Sequence, residues 1–310
     1  MKCLSLFSGV GGFDLALTRL GHEIIGACEI DKYARSVYER HFPGTKMYED
    51  VRRINPEELQ DFDLLCGGFP CQSFSIAGKR KGFEDTRGTM FFEIARIVKA
   101  KQPQIVFLEN VKGLLNHDKG NTFETILNTL DELGYDVEWS VLNSKHFIPQ
   151  NRERVFIIGY NRKKCGTKVF SFTESGGLFD SEKLGEQKKQ EGVRCEVSTI
   201  DARYGTLRNA GETYLIVHSS SGRWWGRDER IKINEANTLN TGDGCRTQSS
   251  ANYIVESGDV IRKLTPLECE RLQTFPDNWA SGQSDTQRYK QIGNAVTVAV
   301  IEHIVKVILK

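Results

Sequence analysis

The first half of the chain alternates short, continuous apolar runs with stretches of helical periodicity. The apolar runs at 2–7, 23–28, 62–66 and 104–108 have the length of buried strands. A stretch with the period of an amphipathic helix follows each run before the next one begins. This alternation is typical of a mostly parallel sheet with helices on both faces. The sequence therefore predicts an α/β fold over residues 1–161.

The alternation of strands and helices stops after about residue 161. Short strand-like pieces lie among Gly, Asn, Ser and Thr over 193–257. A helix is predicted to begin after Thr265, with Pro266 at its first position and Glu268 closing a capping box. We therefore predict three parts: a first domain over 1–161, a small irregular β-rich domain over 162–258, and a hinge with a returning C-terminal helix over 259–310.

The composition is that of a soluble globular protein with little net charge. The 310 residues are 39% hydrophobic and 27% charged, with a formal net charge of +1, so a nucleic-acid surface would have to be a local patch. No apolar run approaches the roughly 20 residues of a membrane span, and the apolar N-terminus is too brief for a signal peptide, so we expect a cytoplasmic protein. The eight scattered cysteines form no Cys-x-x-Cys pair, which argues against a zinc site or a disulfide framework.

A glycine loop joins the first predicted strand to the first helix. The loop contains Gly9, Gly11 and Gly12, which let the backbone approach a ligand near the N–H groups of a helix N-terminus. Glu29 follows the second strand, at the place where an acidic residue commonly binds a ribose hydroxyl. This order favours nucleoside binding, with NAD, S-adenosylmethionine or a mere tight turn as alternatives. Asp50 follows a third, short strand and suits either an adenine amino group or an N-cap.

A stiff turn presents Cys71 at the end of the next apolar run. Gly67 and Gly68 end that run, and Pro70 restrains the backbone before the cysteine. A cysteine at this edge of an open sheet is a candidate nucleophile, and an ordinary buried cysteine is the alternative. The long polar loop that follows contains three consecutive cations at 79–81, which suit a phosphate backbone or simply a solvated surface.

Glu109 ends the strand after that, so its side chain should lie on the same rim of the sheet as Cys71. A carboxyl group there can act as an acid if desolvation raises its pKa, or it can cap the next segment. Arg152 and Arg154 would share one face of a strand and suit a carboxylate or a pyrimidine carbonyl oxygen, unless they are surface arginines. Arginine, asparagine, threonine and aromatic residues between 203 and 246 suit DNA grooves, although a small β domain has the same composition.

Taken in order, these motifs resemble those of the bacterial DNA (cytosine-5) methyltransferases over essentially the full chain. The matching residues are Phe7-x-Gly9-x-Gly11-Gly12, Glu29, Asp50, Gly68-Phe69-Pro70-Cys71-Gln72, Glu109-Asn110-Val111, Gln150-x-Arg152-x-Arg154, Arg262-Lys263-Leu264-Thr265 and Gln291-x-Gly293-Asn294. The resemblance implies a Rossmann-like S-adenosylmethionine-dependent methyltransferase fold. It also implies that 1–161 is the catalytic and cofactor-binding domain and that 162–258 is the target recognition domain.

The resemblance implies methylation at C5 of a cytosine that is flipped out of double-stranded DNA. Cys71 would add to C6, Glu109 would hydrogen-bond or protonate N3, Arg154 would hold O2 and Arg152 would support the site. The cofactor would be S-adenosylmethionine, with S-adenosylhomocysteine as product and no metal. The implied cofactor contacts are Phe7, Gly9, Gly11, Gly12, Glu29, Ile30, Asp50, Pro70, Asn294 and Val296.

The resemblance also places DNA contacts in the loop after Cys71 and in the recognition domain. Thr238-Leu239 resembles the family's Thr-Leu pair, for which Thr206-Leu207 is the alternative. The expected contacts are Gln72, Ser73, Ser75, Lys79, Arg80, Lys81, Arg87, Arg223, Arg227, Thr238, Leu239 and Arg246.

The family's biology implies a bacterial or phage-encoded monomer that protects DNA, with a restriction endonuclease of the same specificity as a partner. Three other functions remain open at this point. They are the same chemistry on tRNA, a DNA-binding subunit without catalysis, and a NAD-dependent dehydrogenase, which would explain only the glycine loop and Glu29.

Overall fold

The structure is a computed structural model that describes residues 1–70, 90–165 and 264–309, and the backbone of 197–198, 215–217, 253–256 and 260–263. By its internal contacts the chain divides into two units. The first consists of Met1–Leu142, Glu153–Gly185 and Glu302–Lys310, and the second of Asn143–Arg152 and Glu186–Ile301. The three-part division made from the sequence stays a prediction.

The first unit is built on a seven-stranded, mostly parallel sheet with the order β3-β2-β1-β4-β5-β8-β6. Strands β1 to β5 pair in parallel, and β8 pairs antiparallel with β5. The α/β fold predicted from the apolar runs is therefore confirmed. The strands are β1 (Lys2–Leu6), β2 (Glu23–Cys28), β3 (Lys46–Tyr48), β4 (Leu64–Gly68), β5 (Ile105–Val111), β6 (Tyr135–Asn143) and β8 (Glu153–Asn161).

Amphipathic helices cover the sheet because their apolar residues recur on one side. In α3, for example, Phe91, Ile94, Ala95 and Val98 are buried at the spacing of one helix face. Burial of each large aliphatic side chain stabilises the fold by about 1.5–3 kcal/mol. The helices of this unit are α1 (Gly12–Arg19), α2 (Lys32–His41), α3 (Met90–Lys101), α4 (Asn121–Glu132) and α5 (Arg162–Cys165), with 3₁₀ turns at Val51–Arg53, Pro56–Glu58 and Lys112–Gly120.

The second unit combines short strands with helices near the end of the chain. Thr265 and Glu268 form the predicted capping box of α6, with Pro266 at its first position. The elements are a 3₁₀ turn at Ser144–His146, a parallel pair of β7 (Gln150–Asn151) and β9 (Val197–Ser198), an antiparallel sheet of β10 (Leu215–Val217), β11 (Tyr253–Glu256) and β12 (Val260–Lys263), and helices α6 (Pro266–Leu272) and α7 (Asp285–Asn294). The last helix, α8 (Val298–Ile308), begins in this unit and belongs to the first unit from Glu302 onward.

The stretch Asp285–Ile308 is apolar and long enough to qualify as a membrane span, with a mean hydropathy of 1.3. However, 67% of its most apolar window is buried inside the protein, as in a core helix of a soluble protein. The stretch is also two helices, because the backbone leaves the helical conformation between Asn294 and Val298. Length and composition are therefore weak evidence for a span here.

Candidate active site

The strand order of the first sheet reverses between β1 and β4. From β1 the chain continues through β2 to β3 on one side, and β4 and β5 lie on the other side. In open α/β sheets, ligands bind at the carboxyl ends of the strands beside such a reversal. The glycine loop follows β1 and the Phe69-Pro70 segment follows β4, so both motifs lie at this edge.

The loop between β1 and α1 leaves open space beside Gly9. Gly9 has a φ of 56°, and a Cβ added there would meet no heavy atom within 4 Å. Phe7 has a φ of 55°. In a residue other than glycine this conformation costs about 1–3 kcal/mol and clusters at ligand sites. Gly11 precedes α1 and Gly12 begins it. The loop therefore presents open backbone at the edge of the sheet.

The Glu29 carboxylate fastens the glycine loop to the end of β2. Its Oε2 accepts a hydrogen bond from the Gly9 backbone N–H at 2.9 Å, and its Oε1 accepts one from the Asp31 N–H at 2.8 Å. Burial raises the pKa of Glu29, while these backbone donors oppose the rise. Each oxygen has a second lone pair with which it can accept a hydroxyl.

These residues fit the nucleoside half of S-adenosylmethionine. Ile30 is 66% exposed and directly follows the Glu29 carboxylate, so an apolar surface adjoins hydrogen-bond acceptors. An apolar surface with a few placed polar groups is what a base and its ribose require of a site. The open backbone at Gly9 adjoins the same carboxylate.

Asp50 is the N-cap of the 3₁₀ turn after β3, which was one of the two roles predicted for it. Its Oδ1 accepts from the Arg52 backbone N–H at 3.0 Å, and its carboxylate binds the Arg52 guanidinium at distances between 2.7 and 3.1 Å. This hydrogen bonding with Arg52 lowers the pKa of Asp50 to about 2. An adenine amino group would therefore share an ionised carboxylate with Arg52.

Glu109 lies on the same rim and is paired with Arg154. The Arg154 Nε and Glu109 Oε1 atoms are 3.0 Å apart, and the two side chains are only 15% and 11% exposed. The pair forms because β5 and β8 run antiparallel with Val111 opposite Arg154. Gly68 of β4 lies beside Glu109, and a Cβ there would come within 3.0 Å of Glu109 Oε2. The absence of a side chain at Gly68 therefore leaves room for the carboxylate.

The buried Asn110 holds the backbone that leads to Cys71. Its Nδ2 donates to the Phe69 carbonyl oxygen at 2.9 Å, and its Oδ1 accepts from the Val111 N–H at 2.8 Å. Pro70, which follows Phe69, is exposed. Cys71 itself lies outside the described residues.

Arg152 belongs to the second unit, and only 2% of its surface is exposed. Its guanidinium donates to the carbonyl oxygens of Gly293 at 3.2 Å and Ala295 at 2.8 Å. These carbonyls flank Asn294, which is exposed, whereas Val296 is buried. The surface-arginine alternative is therefore wrong for Arg152, whose side chain braces this turn.

The predicted DNA contacts all lie outside the part of the chain that the structure describes. The same holds for the alternative recognition pair Thr206-Leu207. The residues concerned are Gln72, Ser73, Ser75, Lys79, Arg80, Lys81, Arg87, Arg223, Arg227, Thr238, Leu239 and Arg246. Within the described ranges, no group of three His, Cys, Asp or Glu side chains is placed to hold a metal ion.

Sequence reasoning missed a buried acid beneath the glycine loop. Asp14, in the first turn of α1, is fully buried and accepts hydrogen bonds from Ser5 Oγ at 2.9 Å and Tyr38 Oη at 2.7 Å. Burial raises the pKa of Asp14 to about 6 because desolvation outweighs these two donors. An acid in a first helical turn looks like an ordinary surface residue, so no pattern in the sequence distinguishes it.

Replacing Asp14 with asparagine is expected to flatten the pH dependence of stability. Because the pKa is raised on folding, the folded state holds this proton more tightly, and stability falls as pH rises from about 4 to about 6. Across that window the unfolding free energy of the wild type should fall by roughly 3 kcal/mol, whereas that of D14N should not. Urea unfolding of both proteins between pH 4 and pH 8 measures the difference. Parallel curves would show that Asp14 does not titrate in this range.

The first unit has an open α/β fold with its glycine loop at the edge where such folds bind ligands, and comparison with known proteins identifies the family. The model of the C-5 cytosine-specific DNA methylase family matches residues 1–310, and the chain belongs to that family. It is 39% identical to the type II methyltransferase M.HhaI of Haemophilus parahaemolyticus, with 98% of this chain and 93% of the relative covered. It is 40% identical to M.HpaII of Haemophilus parainfluenzae, with 99% and 88% covered.

A phage protein and solved structures show the same similarity. The orphan methyltransferase M.SPRI of Bacillus phage SPR is 32% identical, with 99% of this chain and 97% of the relative covered. The S. pombe Dnmt2 methyltransferase superposes with a TM-score of 0.71 at 21% identity, with 100% and 98% covered. Spodoptera frugiperda DNMT2 superposes with a TM-score of 0.63 at 19% identity, with 100% and 99% covered. At such identities the structures confirm the fold alone.

Membership of the family establishes the reaction. The protein is a DNA (cytosine-5)-methyltransferase that uses S-adenosylmethionine, as the ordered motifs predicted. The dehydrogenase alternative is therefore wrong.

Proposed function

We propose that this enzyme methylates one cytosine within a short, fixed sequence of double-stranded DNA, using Cys71 as nucleophile and Glu109 as acid. The observation that carries the proposal is the Glu109–Arg154 pair, 3.0 Å apart, in which Glu109 lies beside Gly68 of β4, the strand that leads to Cys71. A carboxyl group and a guanidinium that lie this close together can hydrogen-bond to N3 and O2 of the same cytosine, because these two atoms lie side by side on the ring.

The residues at the rim divide the chemistry among them. The Cys71 thiolate adds to C6 of the flipped base, and Glu109 protonates N3, so electron density reaches C5 without a ring anion. Arg154 donates to O2 and orients Glu109. After C5 has been methylated, loss of the C5 proton and elimination of Cys71 release the product. S-adenosylmethionine supplies the methyl group, already activated by the sulfonium charge, so this scheme uses no metal.

The cofactor contacts proposed are those expected from the motifs. Glu29 would accept the ribose hydroxyls, and Ile30 would lie against the base. Asp50 would receive the adenine amino group. Arg152 braces the Gly293–Ala295 turn and acts through it rather than on the base. The remaining proposed contacts are Phe7, Gly9, Gly11, Gly12, Pro70, Asn294 and Val296.

The cellular role proposed is DNA protection in the cytoplasm by a monomer. Two of the relatives named above are type II methyltransferases, and the phage relative is an orphan methyltransferase, so the role is proposed both with and without a restriction endonuclease of the same specificity. DNA contacts are proposed in the loop at 72–87 and in the recognition domain at 223–246.

Bisulfite sequencing of plasmid DNA from cells that express the protein tests the function. The expected result is one cytosine resistant to conversion in every copy of one short sequence. Incubation of the purified enzyme with labelled S-adenosylmethionine and either duplex DNA or tRNA separates the two substrates. Label in tRNA alone, or in neither nucleic acid, would contradict the proposal.

Replacing Asn110 with alanine is expected to lower both stability and turnover. Loss of the bond to the buried Phe69 carbonyl should cost about 1–3 kcal/mol of unfolding free energy. Because the backbone before Cys71 is loosened, kcat should fall by about 10- to 100-fold. Thermal unfolding and single-turnover methylation measure the two effects. Asn121→Ala, which alters an exposed asparagine at the start of α4, is the matched control and should change neither.

A further inference from the structure

Arg35 of α2 contacts the two residues proposed to hold the adenosine of the methyl donor. Its Nη1 donates to the carbonyl oxygens of Glu29 at 3.0 Å and Ile30 at 2.9 Å. Its Nη2 lies 3.1 Å from Glu49 Oε1. The Arg35 side chain is only 16% exposed, whereas Glu49 is 71% exposed. None of the sequence motifs includes Arg35.

Together with other hydrogen bonds, these bonds hold the backbone turn that follows β2 in one conformation. The Glu29 N–H donates to the Tyr48 carbonyl oxygen at 3.0 Å, and the Glu29 carboxylate receives the Gly9 and Asp31 N–H groups. With Arg35 on the carbonyl of Glu29 as well, the backbone N–H, the carbonyl and the carboxylate of this residue are all engaged. The side chain of Glu29 can then take few other directions.

Arg35 also joins the ends of β2 and β3. Glu49 directly precedes Asp50, the residue proposed for the adenine amino group. Glu49 is largely exposed, so its pair with Arg35 is screened by solvent and contributes little. The two carbonyl bonds have a charged donor, and the one to Glu29 is also partly buried, so it carries most of the effect. A lysine at this position would carry a single ammonium group, whereas the planar guanidinium of Arg35 reaches both the carbonyl oxygens and Glu49.

We propose that Arg35 is a positioning residue for the ribose of S-adenosylmethionine, because it fixes the Glu29–Ile30 turn before the donor binds. The proposal rests on the proposed function, in which Glu29 accepts the ribose hydroxyls. A turn fixed in advance reduces the entropy lost on binding, so its loosening should weaken the donor complex rather than the chemical step.

The test measures binding of S-adenosylhomocysteine and of its 2′-deoxyribose analogue by calorimetry. In R35A, S-adenosylhomocysteine should bind about 10-fold more weakly, and the preference over the deoxy analogue should shrink, because Glu29 no longer meets the hydroxyl in a fixed position. The KM for S-adenosylmethionine should rise while kcat stays within about twofold. R35K should lie between R35A and the wild type. R40A, which removes an exposed arginine from the same helix, is the matched control.

The variant Glu29→Ala separates failure of the two proposals. If E29A keeps the full preference for the ribose analogue, Glu29 does not bind the hydroxyl and the proposed cofactor role is wrong. If E29A abolishes the preference but R35A and R35K keep it, the inference about Arg35 is overturned. Equal weakening of both analogues in R35A would also overturn it, since this is the result of a general loss of structure. If R35A does not fold, the preference of R35K for S-adenosylhomocysteine over the deoxy analogue tests the inference in the same way.

Discussion

Cys71→Ala is expected to abolish DNA methylation while the protein stays folded and binds S-adenosylhomocysteine as the wild type does. Without a sulfur atom no bond can form to C6, and C5 of an unactivated cytosine is a poor nucleophile toward a methyl donor. The backbone up to Pro70 is fixed by Asn110, and this fixation does not depend on the cysteine side chain. Transfer of tritium from labelled S-adenosylmethionine to duplex DNA measures the loss.

A second measurement tests the covalent bond itself. Duplex DNA with 5-fluorocytosine at the methylated position should trap the wild type as an adduct, because fluorine cannot leave C5 as the proton does. C71A should form no adduct. Cys165→Ala, which alters a half-buried cysteine at the end of α5, is the matched control and should be trapped normally. Turnover by C71A, or failure of an active wild type to form the adduct, would reject the nucleophile.

Glu109→Gln is expected to lower kcat by about 10²- to 10⁴-fold, the usual contribution of an acid placed at a reacting atom. Glutamine has the same shape but cannot give a proton to N3, and it changes the group that lies 3.0 Å from the Arg154 Nε atom. Adduct formation with 5-fluorocytosine DNA should slow in parallel, because protonation of N3 assists addition to C6. Single-turnover kinetics with saturating DNA separate this effect from binding.

The control for Glu109 lies on the neighbouring strand. Glu153 of β8 is half-exposed and pairs with Lys112, so E153Q changes a carboxylate that has a different cation as its partner. It should alter kcat by less than about twofold, in keeping with the small effects of surface substitutions. A kcat for E109Q within tenfold of the wild type would contradict the role of Glu109 as acid.

The strands of the first unit could be predicted because buried parallel strands are almost continuously apolar. The run predicted at 104–108 is observed as β5 over Ile105–Val111, and Glu109 lies at its carboxyl end as expected. For Asp50 the sequence left two roles open, a contact to an adenine amino group and an N-cap. Only the structure shows that the guanidinium of Arg52, two residues further on, binds the Asp50 carboxylate.

Contacts between distant parts of the sequence could not be predicted. Arg152 and Arg154 look equivalent in a strand pattern, yet one is buried against carbonyls at residues 293 and 295 and the other pairs with Glu109. Arg35 likewise looks like one more cation on the polar side of a helix. Periodicity shows which face of an element is apolar, but it does not show which charged side chain lies next to a backbone carbonyl.

The outward-facing Ile30 has a practical consequence for protein engineering. Because Ile30 is 66% exposed, trimming it to alanine should change the folding free energy by no more than about 0.5 kcal/mol. With Ile30 placed against the base, as proposed above, such a variant should have room for synthetic donors with an enlarged purine. Synthetic donors of this kind could then carry chemical tags to DNA.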